Sequence, residues 1–246
     1  MPIAMTLYRN MKKYDIHSHI LPSIDDGASD IDISLLLLEE LENQGVTHLA
    51  LTPHFYTQYD EVEERLAEFL DAREYLYNHL KEEYEGDITL TIGSEVHLSE
   101  NIILIKNLKD LCYRSTDYML IEMPYNSTFP DEQIEILSEI INKHKITPVL
   151  AHIERYPVLL KNRELLVSLK EMGCIMQINT ESLNKMFLKK KIIKLINEGF
   201  VTVIGSDTHS TMRGCDYGIG FSVIEKYCEK EIIENICKTS KVLFNL

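Results

Sequence analysis

A chain of 246 residues with 45% hydrophobic content can bury one substantial core, and 39 acidic against 25 basic residues leave a formal charge of −14. That charge argues against unspecific binding to nucleic acid and against docking on anionic lipid, since both attract basic surfaces. It does not exclude a phosphorylated substrate, because bound cations invert a local field.

The first thirteen residues, MPIAMTLYRNMKK, lack a long apolar run and contain Arg9, so they make a poor signal peptide. They are expected to be a short extension ahead of a single domain over residues 14–246. Residues 14–16 predict a strand, and 31–43 a helix that Gly45 suits as a terminator. A strand follows over 46–52. Residues 61–84 predict a long amphipathic helix, with Leu66, Phe69, Leu70, Tyr77 and Leu80 near helical spacing. Next come a strand at 88–92, a short helix at 102–108 and a strand at 118–123. Residues 131–143 predict a helix with Ile134, Leu137, Ile140 and Ile141 on one face. A strand at 147–151 precedes a helix at 164–172 that ends at Gly173. A strand at 174–178 precedes a helix at 189–197 that ends near Gly199. The last strand is 201–205, and a helix over 222–238 closes the chain. Seven strands separated by helices imply parallel pairing through right-handed crossovers. Their even spread, with no linker, predicts an α/β fold in which the strands form a closed or nearly closed βα barrel.

Five cysteines, Cys112, Cys174, Cys215, Cys228 and Cys237, make an odd count without a CxxC pair. Reduced thiols and a cytoplasmic location are the simplest expectation. No apolar stretch is long enough to span a membrane.

Histidines and carboxylates recur at the ends of the strand-like runs, where a barrel places its chemistry. His17 and His19 are two apart, so both imidazoles of a strand would point the same way; a satisfied polar pair is the alternative. Asp25-Asp26-Gly27 reads first as an ordinary turn. Beside HxH, one of its carboxylates could ligate and the other orient a histidine. His54, after Pro53, is by itself more readily structural. Glu95 and Glu122 sit late in strongly apolar strands, where an unpaired carboxylate is expensive to bury; a buried ion pair with Arg or Lys is the alternative. His97, two residues past Glu95, lines the mouth. In AHIERYP, His152 is a further candidate ligand, and Arg155 either pairs with Glu154 or a surface acid, or serves beside a metal cluster as a fork for phosphate oxygens. Asp207 and His209 repeat the two-residue spacing. Arg213, in STMRGC, is either a second phosphate clamp or a solvated loop arginine. Five imidazoles and four carboxylates exceed the needs of one metal ion. One bridging carboxylate would let them hold two or three divalent ions. Their nitrogen and oxygen donors favour manganese, iron, zinc or magnesium over thiophilic copper(I).

The motifs DIHSHILPSIDDG, TPH, GSEVH, IEMP, TPVLAHIERY and SDTH, spread over residues 15–213, resemble the polymerase-and-histidinol-phosphatase (PHP) superfamily. The likeness is greater to its bacterial protein-tyrosine phosphatase branch, the CpsB/YwqE-like enzymes. It implies a distorted seven-stranded βα (TIM-like) barrel with three divalent ions, manganese being the first choice. By motif position, His17, His19, Glu95 and Asp207 would hold one ion. Glu95 would bridge to a second ion held by Glu122 and His152, and Asp26, His54 and His209 would hold the third. Arg155 matches a phosphate-binding arginine, and Arg213 lies where a second is expected. Asp25 and His97 receive no metal role by this route. Histidinol-phosphate phosphatases of the superfamily usually carry another loop after HxH, often with a further histidine, where this chain has IDDG.

The implied activity is hydrolysis of phosphotyrosine by a metal-bridging hydroxide, with the phosphate held by arginine. The implied partner is the tyrosine-rich tail of a bacterial tyrosine autokinase controlling capsule or exopolysaccharide synthesis. No nucleic-acid partner and no membrane insertion are expected, and homo-oligomerisation stays open. A cysteine nucleophile is disfavoured, because no cysteine has an arginine six residues later. The alternatives are a phosphatase of a small phosphomonoester such as histidinol phosphate, and a non-catalytic metal-binding partner protein. A degenerate binding protein should have lost at least one ligand, and this chain has the full set.

Overall fold

The computed structural model describes residues 11–125, 127–213 and 215–246, so residues 1–10 of the expected extension lie outside the described residues. Among the described residues the strands are β1 (Tyr14–Asp15), β2 (His48–Leu51), β3 (His54–Tyr56), β4 (Thr89–Ile92), β5 (Glu95–His97), β6 (Tyr118–Glu122), β7 (Thr147–Leu150), β8 (Ile175–Asn179) and β9 (Val201–Gly205). All pair in parallel. They form a three-stranded sheet ordered β1-β2-β4 and a six-stranded sheet ordered β3-β5-β6-β7-β8-β9. The α/β class and the parallel pairing are as expected, but seven expected strands are observed as nine.

Two interruptions account for the difference. β2 stops at Thr52-Pro53, and Pro53 has no N–H to give a ladder. β4 stops beside it, at Gly93-Ser94. Leu51 faces Ile92 before the interruption and His54 faces Glu95 after it, so both strands skip in step and keep their register. Backbone bonds also tie the segment after β1 to its neighbours. The Thr52 N–H donates to Ser18 O (2.8 Å), the Asp207 N–H to His17 O (2.8 Å) and the His19 N–H to Thr208 O (2.8 Å).

The helices are α1 (Ile31–Asn43), α2 (Val62–Glu83), α3 (Asp131–His144), α4 (Arg163–Glu171), α5 (Met186–Asn197), α6 (Tyr217–Tyr227) and α7 (Lys230–Val242). Helix α1 starts where the Asp30 carboxylate accepts the Ile33 N–H (3.0 Å), and it buries Leu37, Leu38 and Leu41. Gly45 follows it at φ +85°, a left-handed position that suits glycine. The single helix expected at 222–238 is two, α6 and α7, with Cys228 and Glu229 extended between them. At about 100° per residue, an unbroken helix would put Ile233 opposite Ile224. Both are fully buried, so the chain breaks to turn both inward. The helix expected at 102–108 is replaced by two 3₁₀ turns, Glu100–Leu104 and Leu108–Leu111. Ile102, Ile105, Leu108 and Leu111 are all buried at steps of three, the repeat of a 3₁₀ helix rather than an α-helix.

The core has two parts. The larger cluster lies between the strands and the helices and includes Leu37, Leu80, Ile140, Ile192 and Ile224. A smaller cluster joins Tyr14, Ala50, Leu120, Val149 and Val203 from strands of both sheets, and Ile16 and Ala151 just beyond β1 and β7, with the C-terminal Leu243 and Phe244. Each fully buried side chain of this size is worth about 1.5–3 kcal/mol of transfer free energy. The packed strands leave their C-terminal ends and their two interruptions as the places where polar side chains gather. Among the described residues, no helix is long and apolar enough to cross a membrane. The five cysteines are all free.

Candidate metal centre

Histidine and carboxylate side chains from six segments converge at these strand ends. His17 Nε2 and His19 Nε2 lie 3.1 Å apart. Glu95 Oε2 is 3.1 Å from each of them, and Asp207 Oδ1 is 3.3 Å from each. A tetrahedral ion with bonds of about 2.0–2.1 Å has ligand–ligand edges of roughly 3.3–3.4 Å, so these four atoms have the spacing of one small cage. All four residues are buried.

A second group joins His19, Asp26, His54 and His209. Asp26 Oδ1 is 3.6 Å from His54 Nε2 and 3.4 Å from His209 Nε2. The His19 and His209 rings stack at 4.0 Å. A third group joins His54, Glu95 and Glu122. His152 Nε2 borders it, 2.9 Å from Glu95 Oε1 and 3.6 Å from Glu122 Oε1. The two oxygens of Glu95 therefore face different neighbours. Oε2 meets His17, His19 and, at 3.2 Å, His54 Nδ1, while Oε1 meets His152. Every residue expected as a metal ligand lies in or against one of these groups. The grouping is broader than expected, since His54 also meets Glu95 and His19 also meets Asp26.

The donor set suits divalent cations. His54 Nδ1, Glu95 Oε2 and His209 Nε2 are buried atoms with no hydrogen bond, a costly arrangement unless another group satisfies them. Glu122 is pushed up by burial and by the negative charge of Glu95, as crowded carboxylates are; a cation relieves that repulsion. Burial alone would neutralise the first cage, but attraction across it wins. The carboxylates raise His17 and His19, and the imidazoles hold Glu95 and Asp207 well below the usual range.

The backbone bends to make the convergence. His152 (φ +33°) and Asp207 (φ +57°) are non-glycine residues in left-handed conformations, a strain that persists only where surrounding structure imposes it. His17, His19, Asp207 and His209 all lie beyond the ends of β1 and β9. Asp207 and His209 enter different groups, with His209 Nδ1 3.6 Å from Asp207 Oδ1.

Other residues orient these side chains. Asp25 Oδ2 accepts the His19 Nδ1 proton (2.7 Å) and the His54 N–H (3.0 Å), and Oδ1 accepts the Gly27 N–H (3.0 Å). Burial would raise Asp25, but the bonds from His19, His54 and Gly27 overcome it and take the carboxyl down to about 2. A charged carboxylate behind Nδ1 leaves His19 Nε2 to face the cage. Gln177 and Asn179 on β8 carry a chain of bonds that sequence reasoning missed. Gln177 Oε1 accepts the His152 N–H (2.6 Å), Gln177 Nε2 donates to Asn179 Oδ1 (2.9 Å), and Asn179 Nδ2 donates to Asp207 Oδ2 (2.8 Å). The available signal was two amides, two apart, in an otherwise apolar strand; a search for ligand types passes over them.

Arg155 pairs through Nη2 with Asp207 Oδ2, not with Glu154. Glu154 is buried and accepts instead from the Asn179 N–H (3.0 Å) and the Ser182 hydroxyl (2.8 Å). Arg213 is half exposed, with Nη1 3.6 Å from Asp26 Oδ2. Each arginine thus approaches a carboxylate of one of the groups, Arg155 that of Asp207 and Arg213 that of Asp26. His97 stays outside the groups, its ring 6.1 Å from that of Tyr56.

Comparison with known proteins places this geometry. A family model described as capsular polysaccharide synthesis, CpsB/CapC, matches residues 13–243. The tyrosine-protein phosphatase CpsB of Streptococcus pneumoniae is 32% identical over 207 residues, covering 80% of this chain and 82% of that one. The tyrosine-protein phosphatase YwqE of Bacillus subtilis is 31% identical over 202 residues, covering 80% and 77%. A solved chain from work on YwqE of Bacillus subtilis and CpsB of Streptococcus pneumoniae, described as metal-dependent tyrosine phosphatases, superposes with a TM-score of 0.79 at 26% identity over 94% of both chains. A histidinol phosphatase candidate from Listeria monocytogenes (TM-score 0.52, 17% identity, 88% of this chain and 100% of that one) shares the fold alone.

Proposed function

The chain belongs to the CpsB/CapC family, and from that premise we propose that it is a metal-dependent protein-tyrosine phosphatase of capsule or exopolysaccharide synthesis. The observation that carries the reading is Glu95, whose two oxygens face separate groups of ligand atoms within one buried cluster. We assign His17, His19, Glu95 and Asp207 to one ion, Glu95, Glu122 and His152 to a second, and Asp26, His54 and His209 to a third. Manganese is the first choice, with iron, zinc and magnesium as alternatives. The nine strands are read as a distorted seven-stranded barrel, two of whose members are interrupted. The substrate is read as a phosphotyrosyl protein, the tail of a tyrosine autokinase, met in the cytoplasm.

When bound, divalent ions supply Lewis acidity at phosphate oxygens and a water acidic enough to attack at neutral pH. The chain's own residues do the rest. The carboxylates of Glu95, Glu122, Asp26 and Asp207 set the charge of the pocket; three dications held there would exceed it, and the pocket would then attract a phosphate dianion to an acidic protein. Arg155 and Arg213 stand at the edge of the cluster, where a guanidinium fork can take phosphate oxygens and offset charge in the transition state. Asp25 holds His19, and Asn179 holds Asp207, so the ligands need not reorganise during turnover. A tyrosine phenol in water ionises at a pH of about 10, so the phenolate leaving group needs less acid assistance than an alkoxide.

The test is phosphate release from a phosphotyrosyl peptide and from histidinol phosphate, side by side, by manganese-reconstituted protein with a chelated control. Metal-dependent preference for the peptide is expected. Preference for histidinol phosphate would keep the metal centre and overturn the substrate.

A further inference from the structure

A cleft of about 300 Å³ opens beside the candidate metal centre, between the loop carrying Asp25 and Asp26 and the first turns of α2. It shares His54 and Asp26 with the metal centre and is walled by Ile24, Tyr56 and Phe69, with Arg65 contributed by α2. The Tyr56 ring stacks on His54 at 5.1 Å, so the cleft continues directly from the metal ligands.

Arg65 is exposed and forms no ion pair with any described residue. That is unusual here. The other described arginines with exposed side chains each have a carboxylate: Arg114 with Glu74, Arg155 with Asp207, Arg163 with Glu198 and Arg213 with Asp26. The chain carries 39 acidic residues, so an unpaired arginine is not explained by a shortage of partners. Its guanidinium lies 4.7 Å from the centre of the Tyr59 ring, a cation–π contact that limits its rotamers without neutralising its charge. The apolar wall beside it weakens solvent screening of any charge brought into the cleft. The carboxylates in the cleft are already engaged, Asp25 with His19 and Asp26 with the ligand group of His54 and His209.

From this, resting on the phosphotyrosine-phosphatase reading above, we infer that the cleft is a substrate subsite in which Arg65 binds the carboxylate of an aspartate or glutamate flanking the phosphotyrosine. The apolar wall of Tyr56 and Phe69 takes the methylene stem, and the guanidinium takes the carboxylate. Arg65 is then a specificity-determining residue. It does not touch the reacting phosphate, and its contribution appears in KM rather than kcat.

The experiment uses the manganese-loaded protein and two phosphotyrosyl peptides that differ only in having glutamate or lysine on either side of the phosphotyrosine. p-Nitrophenyl phosphate, which has no flanking residue, is the third substrate. Wild type is expected to favour the glutamate peptide in kcat/KM by about fivefold or more, through KM, with the ratio shrinking at high salt. R65E is expected to reverse the ratio, and R65K to keep its direction, while both turn over p-nitrophenyl phosphate as wild type does. A ratio unchanged in R65E overturns the inference. So does a loss of p-nitrophenyl phosphate turnover in R65E as large as the loss on the glutamate peptide, which would place Arg65 on the phosphate itself. Wild type that hydrolyses both peptides equally overturns this inference alone. Wild type that hydrolyses neither overturns the phosphatase reading with it.

Discussion

Glu95 is the residue on which the centre turns. Four imidazoles lie within 3.2 Å of its carboxylate, and its two oxygens divide them. Glu95→Gln keeps the shape but removes the charge and one acceptor oxygen. It is expected to lower metal content by more than one ion per chain and to cut phosphatase activity roughly a thousandfold or more. Elemental analysis of the purified variant, set beside its turnover, checks both. Asn179 touches no expected metal position but donates to Asp207 Oδ2, the oxygen turned away from the cage. Asn179→Ala should cost roughly 10–100-fold in metal affinity or activity with the fold intact. A manganese titration followed by activity separates that outcome from simple unfolding. Arg155 and Arg213 were legible from sequence as basic residues near the candidate ligands; that Arg155 meets Asp207 and Arg213 meets Asp26 was not.

At the scale of elements, the interruptions in β2–β3 and β4–β5 do more than divide strands. They place His54 and Glu95 opposite each other at the first residues of β3 and β5, facing the cluster. The end of β9 shows how tightly two elements meet. A Cβ on Gly205 would lie 2.5 Å from His17 Cβ and 3.0 Å from Gln177 Nε2. Gly205→Ala should therefore push His17 out of its cage, cost about 1–3 kcal/mol of stability and weaken metal binding. Equilibrium denaturation with and without manganese measures both. The opposite end of the strands has its own titratable group. His48 on β2 packs on Tyr14 at 4.5 Å, and burial, aided by Lys12, lowers it to about 4. Unfolded, it takes a proton near pH 6.5; folded, it does not until near pH 4. It therefore adds stability above pH 6.5 that is lost as pH falls from 6.5 towards 4. His48→Phe removes this dependence, so the drop in Tm between pH 7 and pH 5 should be smaller in the variant than in wild type.

For the whole molecule, the balance of charge is the governing quantity. A chain of net charge −14 that gathers four carboxylates in one site stores repulsion there, and dications relieve it. Metal that binds the folded state alone stabilises it by about 2.7 kcal/mol per site at a hundredfold excess over Kd. For a chain of this size each kcal/mol moves Tm by about 2–4 °C. Chelation is expected to lower Tm by several degrees and manganese to restore it. A Tm indifferent to chelator, in protein freed of metal, would contradict a preformed metal centre. The cysteines take no part in this balance. Burial raises all five thiols, to about 12 for Cys112 and Cys174 and about 11 for the others, which leaves them poor nucleophiles.

The sequence by itself determined the residue types of the centre, their order along the chain and most helix positions. Residues 31–43 have the pattern of a helix and form one, because helical periodicity and a stop signal are local properties that need no partner. Only the tertiary structure decided which oxygen of Glu95 meets which histidine, that Arg155 pairs with Asp207, and that Gln177 and Asn179 stand behind the ligands. It also decided the two strand interruptions and the break between α6 and α7. Each of these depends on groups far apart in the chain, brought together by packing, and a burial direction set by a distant neighbour leaves no periodic mark in the local sequence.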